Sequence, residues 1–128
     1  AIAGKSVKEA TYHLRASSEW IIRFGDGTEE SHQRAQAALD DLWTYTGELF
    51  EGDAVLEEMT KAGMAPDIAS IKEAWSKTVD QVLAEATLKR PADAFMMTGG
   101  RKGLHSEHMG FILAEMQHVT RAYPGVEW

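Results

Sequence analysis

Apolar and small residues recur every three or four positions along most of this chain, and no segment alternates with the two-residue period of a strand. The first such series consists of Ala3, Val7, Ala10, Leu14, Ser17, Ile21 and Phe24. The same spacing predicts helices over residues 29–50, 54–62, 68–86 and 104–122. With five helical segments and no competing strand, the sequence predicts an all-α fold.

Capping residues mark where several of these helices begin. Thr28, Asp53 and Asp67 each precede a predicted helix, and their side-chain oxygens can accept hydrogen bonds from its free N–H groups. Residues 92–103 are rich in glycine and predict a loop. No internal repeat or linker divides the chain, so residues 1–128 are predicted to form a single all-helical domain.

Composition excludes several classes of protein. A length of 128 residues with 44% hydrophobic residues is typical of one globular domain. No apolar run approaches the roughly 20 residues of a membrane span. The absence of cysteine excludes disulfides and thiolate metal sites, and the net charge of −7 argues against general nucleic-acid binding. Because no charged and then apolar leader is present, we expect a cytoplasmic protein.

Glu9 and His13 are candidate metal ligands, because residues four apart share a helix face. A carboxylate and an imidazole can bind iron or zinc. Di-iron bundles, however, place Glu and His three residues apart on two helices, with a further Glu from each of the other two. Two interpretations therefore stay open, a pair of metal ligands and a pair that stabilises the helix.

Two other histidine motifs also contain candidate metal ligands. Glu115 and His118 have the three-residue spacing of a di-iron helix, but this motif occurs once. His105 and His108 are also three residues apart and can chelate a metal together. The alternatives are surface positions on a helix for the first pair, and capping or packing at a helix start for the second.

Residues 99–103, with the sequence Gly-Gly-Arg-Lys-Gly, form the most distinctive short stretch. Glycines allow a tight turn and close backbone approach, and the adjacent cations Arg101 and Lys102 suit a phosphate. The spacing is not that of a P-loop. A phosphate contact and a hydrogen-bonded loop at a subunit interface both remain open.

Taken together, these patterns resemble the C subunits of ring-1,2-phenylacetyl-CoA epoxidases, over the C-terminal half of that protein. The stretches that carry the resemblance are Lys8–Arg15, Phe24–Thr28, Leu42–Phe50, Gly99–His108, Leu113–Gln117 and Pro124–Trp128. The glycine-basic-histidine stretch and the tryptophan ending are its most specific parts. The resemblance covers the whole chain.

The resemblance implies a ferritin-like helical bundle, of which this chain holds the last bundle helix and the C-terminal helices. The family's enzyme is a multicomponent monooxygenase of aerobic phenylacetate catabolism, which epoxidises the ring of phenylacetyl-CoA with dioxygen. Its di-iron centre lies in the related, ferritin-like A subunit, which is the catalytic one, and a reductase supplies electrons from NADPH. The C subunit is regarded as a non-catalytic, structural partner of the A subunit, so we expect no cofactor in this chain.

The resemblance also assigns roles to residues. Where a di-iron bundle has Glu and His three residues apart, this chain has Glu9 and Tyr12, with His13 next to it, which is the pattern expected of a vestigial metal site. In a structural subunit, Arg101 and Lys102, with the following histidines, are expected to contact the partner or the phosphates of CoA. The histidines of this candidate set are His105 and His108.

Compared with the whole family subunit, the chain lacks roughly the first half. A single bundle helix has apolar surface on two sides and needs neighbours. We therefore expect the chain to self-associate or to remain with the missing half. Two other functions stay open: a di-iron oxygenase subunit in its own right, and a helical adaptor protein.

Overall fold

The computed structural model describes residues 2–127, and within that range it contains six α-helices and no strand. The helices are α1 (Ile2–Gly25), α2 (Glu29–Trp43), α3 (Ala54–Lys61), α4 (Ile68–Glu85), α5 (His108–Met116) and α6 (His118–Ala122). Two short 3-10 turns span Thr46–Phe50 and Gly100–Lys102. The all-α prediction is confirmed. No helix within residues 2–127 combines the length and apolar character that crossing a membrane requires.

The chain divides into two compact units, Ala1–Met97 and Thr98–Trp128. The first contains α1 to α4, and the second contains α5 and α6. The single domain predicted from the sequence stays a prediction. The family ending at Trp128 lies outside the described residues.

The predicted caps are confirmed. Thr28, Asp53 and Asp67 immediately precede α2, α3 and α4, and each side chain accepts a hydrogen bond from a backbone N–H two or three residues later. Each such bond satisfies one of the free donors at a helix start and stabilises the helix by about 1 kcal/mol.

The helix predicted over residues 29–50 was wrong at its end, because α2 stops at Trp43. The Thr46 hydroxyl donates to the Trp43 carbonyl at 2.8 Å. The Thr44 carbonyl accepts from the backbone N–H of Met97, also at 2.8 Å. The carbonyls that would have extended the helix are thus bonded elsewhere, partly to a residue remote in sequence.

The helix predicted over residues 104–122 was also wrong in extent. It begins only at His108, and Gln117 ends α5 and starts α6. The segment is therefore two short helices rather than one continuous helix.

In the first unit, α1 packs against α2 and α4 around a small core. The buried residues of this cluster are Leu83, Ala86 and Leu88, and the partly buried residues packed on them are Ile22, Ala35, Leu39 and Val79. Gly25 is buried at the end of α1, where an added Cβ would collide with the Ala86 carbonyl. Glycine is therefore required for this close approach of α1 to the end of α4.

The carbonyl of Gly25 has side-chain partners from α2 and from the turn that follows α4. His32 Nδ1 lies 2.7 Å from this oxygen, and the Thr87 hydroxyl donates to it at 3.2 Å. Thr87 has a φ of 58°, a left-handed conformation that a β-branched residue rarely adopts. These contacts fix the carboxyl end of α1 against α2 and α4, because the last carbonyls of a helix need partners outside it.

Trp43 is the second anchor of this unit and is only 5% exposed. Its indole N–H donates to the Asp93 carboxylate at 2.9 Å. The Arg90 guanidinium lies 4.9 Å from the Trp43 ring centroid and forms an ion pair with Asp80 at 2.6 Å. The segment that follows α4 is thereby held against the end of α2.

Candidate functional site

The amino-terminal part of α1 is open to solvent. Every residue from Ile2 to Arg15 is exposed, whereas Ile22 and Gly25 near the other end are packed. An isolated helix of this length is only marginally stable in water, and most helical stability in proteins comes from packing of an apolar face. The open part of α1 is therefore a helical surface that no other described residue covers.

An apolar groove of about 490 Å³ lies between α1, α2 and α4. We refer to it as the groove. Its α1 side consists of Leu14, Ser17, Ser18, Ile21 and Phe24. Its α2 side consists of Ala35, Ala38, Leu39, Leu42 and Trp43, with Thr46 from the 3-10 turn after α2. The α4 side, with the residues after the helix, consists of Thr78, Val79, Val82, Leu83 and Leu88.

The groove combines small residues with exposed large apolar ones. Leu14 and Leu42, on opposite sides, are 54% and 63% exposed. The small side chains between them leave space into which side chains of another helix can pack. A contiguous apolar surface of this kind marks a contact with protein or with an apolar ligand.

The apolar periodicity of the sequence includes Ser17 in the first helix and Ala35 and Ala38 in the second, but it did not identify the open groove that these residues line. The available signal was the small size of these residues within otherwise bulky stripes. Small residues at such positions let a second backbone approach closely.

Glu9 and His13 come together on the exposed part of α1. His13 Nε2 lies 3.6 Å from Glu9 Oε2, and the two side chains are 73% and 77% exposed. A pair this exposed contributes little to stability. The Tyr12 ring lies 6.0 Å from the His13 ring, and the Arg15 guanidinium lies 5.7 Å from the Tyr12 ring centroid.

These residues do not by themselves provide the ligand set of a metal site. Within residues 2–127 there is no group of three or more His, Cys, Asp or Glu side chains arranged to hold a metal ion. A di-iron site takes a Glu from each of two helices and a Glu with a His from each of the other two. Glu9 and His13 are therefore at most part of a site.

The basic turn, defined here as residues 99–108, belongs to the second unit. Gly99 and Gly103 have φ of 91° and 84°, and they bracket a 3-10 turn that contains Arg101 and Lys102. An added Cβ on Gly99 would come within 2.6 Å of Leu104. Both glycines are therefore conformational requirements of the turn.

The four predicted contact residues of the basic turn are all exposed, namely Arg101, Lys102, His105 and His108. They lie in the 3-10 turn, in the irregular stretch after it and at the first residue of α5. The turn thus presents two permanent positive charges and two imidazoles to solvent, which suits an anionic group.

The third histidine motif lies across a helix break. Glu115 is in α5 and His118 is the first residue of α6, with the break at Gln117 between them. Both side chains are exposed. The motif therefore lacks the continuous helix on which di-iron proteins carry it.

The helices of the second unit carry exposed large apolar side chains of their own. Phe111 and Met116 on α5 are 70% and 74% exposed, and Tyr123 after α6 is exposed as well. Single exposed apolar residues are common, but a series along two short helices indicates a contact surface.

Residues 1–128 match a family model described as "Phenylacetic acid catabolic protein". The chain belongs to this family. It is 44% identical over 128 residues to the C subunit of 1,2-phenylacetyl-CoA epoxidase from Escherichia coli (strain K12). That match covers the whole of this chain and 52% of the relative, so the chain spans about half the length of the curated relative it matches. The family resemblance drawn from the sequence is confirmed.

Proposed function

We propose that this chain is part of the C subunit of a multicomponent phenylacetyl-CoA ring epoxidase, acting in aerobic phenylacetate catabolism in the cytoplasm. In this proposal its role is structural: it supports the ferritin-like A subunit, which holds the di-iron centre and carries out the epoxidation. The main support is the 44% identity to an epoxidase C subunit along the entire chain.

The exposed helical surfaces support a structural role. The described residues bury only four hydrophobic residues well, and these are Trp43, Leu83, Ala86 and Leu88. Large apolar side chains elsewhere remain half or more exposed on α1, α2 and α5. A protein with so much uncovered apolar surface functions in contact with other protein.

The α1 residues favour a protein without its own oxygen chemistry. Tyr12 stands where a di-iron helix carries its histidine, and a phenol does not supply the imidazole nitrogen of that site. Glu9 instead pairs with His13, one position further along the helix. We therefore regard Glu9, Tyr12 and His13 as a vestigial metal site.

Metal content tests the non-catalytic role. Iron and zinc per chain are counted by plasma mass spectrometry for the full-length C subunit and for the A subunit, both expressed with added iron. We expect no stoichiometric metal in the former and about two irons in the latter, the di-iron count. About two irons per chain of the C subunit would instead make it an oxygenase component, with Glu9 and His13 the first residues to replace.

The basic turn is the proposed contact with the A subunit or with the phosphates of CoA. Arg101 and Lys102 carry the fixed charge of the turn, and phosphate or carboxylate groups are their natural partners. The exposed histidines beside them can donate further hydrogen bonds.

Charge reversal tests this contact. The double variant Arg101→Glu, Lys102→Glu is expected to weaken binding of the A subunit or of phenylacetyl-CoA by about tenfold, because attraction becomes repulsion. The control variant Arg34→Glu, Lys61→Glu changes the net charge equally at two exposed positions outside the turn. Unchanged binding of both ligands to the Arg101 and Lys102 variant would remove the turn from the interface.

A further inference from the structure

We infer that Thr87 and His32 form a polar latch that fixes the carboxyl end of α1, and that the latch holds His32 as the Nδ1–H tautomer. The latch consists of three atoms: the Gly25 carbonyl oxygen, the Thr87 hydroxyl oxygen and His32 Nδ1. All three lie within the first unit, so the latch stands apart from the proposed function. It accounts for a threonine in a glycine position and for the location of one proton.

Thr87 occupies a position in which helices commonly end with glycine. Its backbone N–H donates to the Ala84 carbonyl at 3.2 Å, and the N–H of Leu88 donates to the Leu83 carbonyl at 3.0 Å. This pair of bonds is the Schellman motif, in which the residue at the Thr87 position has a left-handed backbone and is usually glycine. Thr87 has that backbone, with a φ of 58°, although its β-branched side chain disfavours it. For the end of α4 considered alone, glycine would be the more stable choice.

The end of α3 has the same motif with glycine. The N–H of Gly63 donates to the Thr60 carbonyl at 3.0 Å, and the N–H of Met64 donates to the Met59 carbonyl at 2.9 Å. Gly63 has a φ of 70°, and no atom of the described residues lies within 4 Å of a Cβ added there. The two helix ends therefore share a backbone geometry and differ in what surrounds the left-handed residue.

The Thr87 side chain contacts the end of another helix. Its hydroxyl donates to the Gly25 carbonyl at 3.2 Å and lies 3.4 Å from His32 Nδ1. Gly25 is the last residue of α1, and the last carbonyls of a helix need partners outside it. Glycine at position 87 would relieve the backbone but would remove this bond. The contact with α1 thus explains why a strained threonine is retained.

One arrangement of protons satisfies all three atoms of the latch. His32 Nδ1 lies 2.7 Å from the Gly25 carbonyl oxygen, which can accept hydrogen bonds but cannot donate. Nδ1 must therefore carry a proton, because two lone pairs would otherwise face each other at this distance. The single proton of the Thr87 hydroxyl is then directed to the second lone pair of the same oxygen. In the neutral ring Nε2 is unprotonated, so it is a hydrogen-bond acceptor.

The latch joins three elements at one atom. The carbonyl belongs to α1, the imidazole to α2 and the hydroxyl to the turn after α4. The open part of α1 belongs to the same continuous helix, Ile2–Gly25, so the latch sets the direction in which that part leaves the packed end. We expect loss of the latch to loosen the end of α1 without unfolding the first unit.

Nitrogen-15 NMR of the histidine rings tests the arrangement of protons in the full-length C subunit proposed above. The spectrum is recorded at about pH 8.5, above the range in which histidine ordinarily changes charge. The His32 signals are assigned by their loss in the variant His32→Asn. We expect a protonated Nδ1 and an unprotonated Nε2. A ring protonated on Nε2, or a mixture of the two tautomers, would overturn the inference.

Thermal unfolding of the same protein tests the hydroxyl. Thr87→Val removes the hydroxyl and keeps the β-branched shape, and it should lower the midpoint temperature by about 3 °C, the shift expected from one net hydrogen bond in a protein of the relative's length. Thr87→Ser keeps the hydroxyl and should stay within about 1 °C of the unmodified protein. Equal midpoints for the two variants would contradict the latch.

Exchanges with glycine compare the two Schellman motifs. Gly63→Thr introduces the strained backbone without a partner for the hydroxyl, and it should lower the midpoint by about 4 °C. If Thr87 were merely strained, Thr87→Gly would raise the midpoint by a similar amount. With the latch, the lost bond offsets the relieved strain, so we expect a rise of no more than about 2 °C or a fall. A larger rise would overturn the latch.

Two amide variants separate the nitrogens of His32. His32→Asn places an amide N–H donor near the position of Nδ1, whereas His32→Gln places one near the position of Nε2. We expect the Asn variant to unfold about 2 °C above the Gln variant, although Asn has the lower helix propensity. The reverse order, or equal midpoints, would contradict donation from Nδ1.

Discussion

The two ends of α1 share one helix and one apolar periodicity, but they have different surroundings. At the carboxyl end, Gly25 is buried against Ala86, and its carbonyl is bonded by Thr87 and lies within hydrogen-bond distance of His32. At the amino end, the side chains from Ile2 to Arg15 are exposed. The difference shows that an apolar stripe predicts which face of a helix packs against other residues, but does not identify those residues.

The closed end depends on contacts that are specific and short. A glycine permits the close approach, and polar side chains complete the hydrogen bonding of a helix end. The open end carries exposed apolar residues on more than one side, among them Val7, Tyr12 and Leu14, as expected of a helix that has further neighbours. Each of the following predictions compares a residue at a closed contact with a similar residue at an open one.

The largest effect is expected at Trp43. Trp43→Ala removes a side chain that is 5% exposed, together with its bond to Asp93 and its contact with Arg90, and should lower the free energy of unfolding by about 4 kcal/mol. Trp20→Ala removes a side chain that is 53% exposed and should cost about 1 kcal/mol in the 128-residue chain. Urea denaturation followed by circular dichroism measures both.

The Trp20 variant also tests whether other protein covers the open part of α1. In the full-length C subunit proposed above, coverage of the open part of α1 should raise the free-energy cost of Trp20→Ala toward that of Trp43→Ala. If the two substitutions cost the same amount already in the 128-residue chain, the distinction between a closed and an open region is wrong.

The next effect is expected at Gly25. Gly25→Ala introduces a Cβ that collides with the Ala86 carbonyl, so it should destabilise the first unit by about 3 kcal/mol. Gly4→Ala lies in the same helix, where nothing is within 4 Å of the added Cβ, and should stabilise the chain by about 0.5 kcal/mol through helix propensity. Thermal unfolding should therefore shift in opposite directions for the two variants, and a shift in the same direction would contradict the packing of Gly25.

The smallest effect is expected at Gln36. Its side-chain amide donates to the Lys89 carbonyl at 2.9 Å and accepts from the Lys89 N–H at 2.8 Å, which ties α2 to the segment after α4. Gln36→Ala should cost about 1 kcal/mol. Gln33→Ala removes only a bond to Glu29 on the same helix and should stay within about 0.5 kcal/mol.

Both glutamine variants make the same change in helix propensity, and each loses one bond within α2, from Gln36 to Asp40 or from Gln33 to Glu29. The difference between their urea midpoints therefore isolates the contact with Lys89. A difference near zero would show that water replaces the contact with Lys89 without loss of stability.

Local signals made part of the fold predictable from the sequence. The caps at Thr28, Asp53 and Asp67 involve hydrogen bonds between residues two or three positions apart, so the residue types suffice to identify them. The helical character of the chain follows from its apolar period in the same way. Helix ends were less predictable: α2 stops at Trp43 where Met97, more than fifty positions later, bonds the Thr44 carbonyl.

The candidate sites show the same contrast between signals local in sequence and contacts between distant residues. Glu9 and His13 were predictable neighbours because four residues make about one helical turn, and the structure has them in contact at 3.6 Å. The basic turn was identified from its glycines, which need left-handed backbone conformations. The groove was not identified, because it is formed by residues from three helices that are far apart in sequence.

The all-α character, the three caps and the family follow from the sequence, because each depends on residues close together or on a pattern along the chain. Which faces of the helices are covered depends on the tertiary structure. Ala86 is completely buried and Leu14 is more than half exposed, although both belong to segments with apolar residues at helical spacing. Burial depends on what packs from elsewhere in the chain, and apolar spacing within one helix carries no information about that partner.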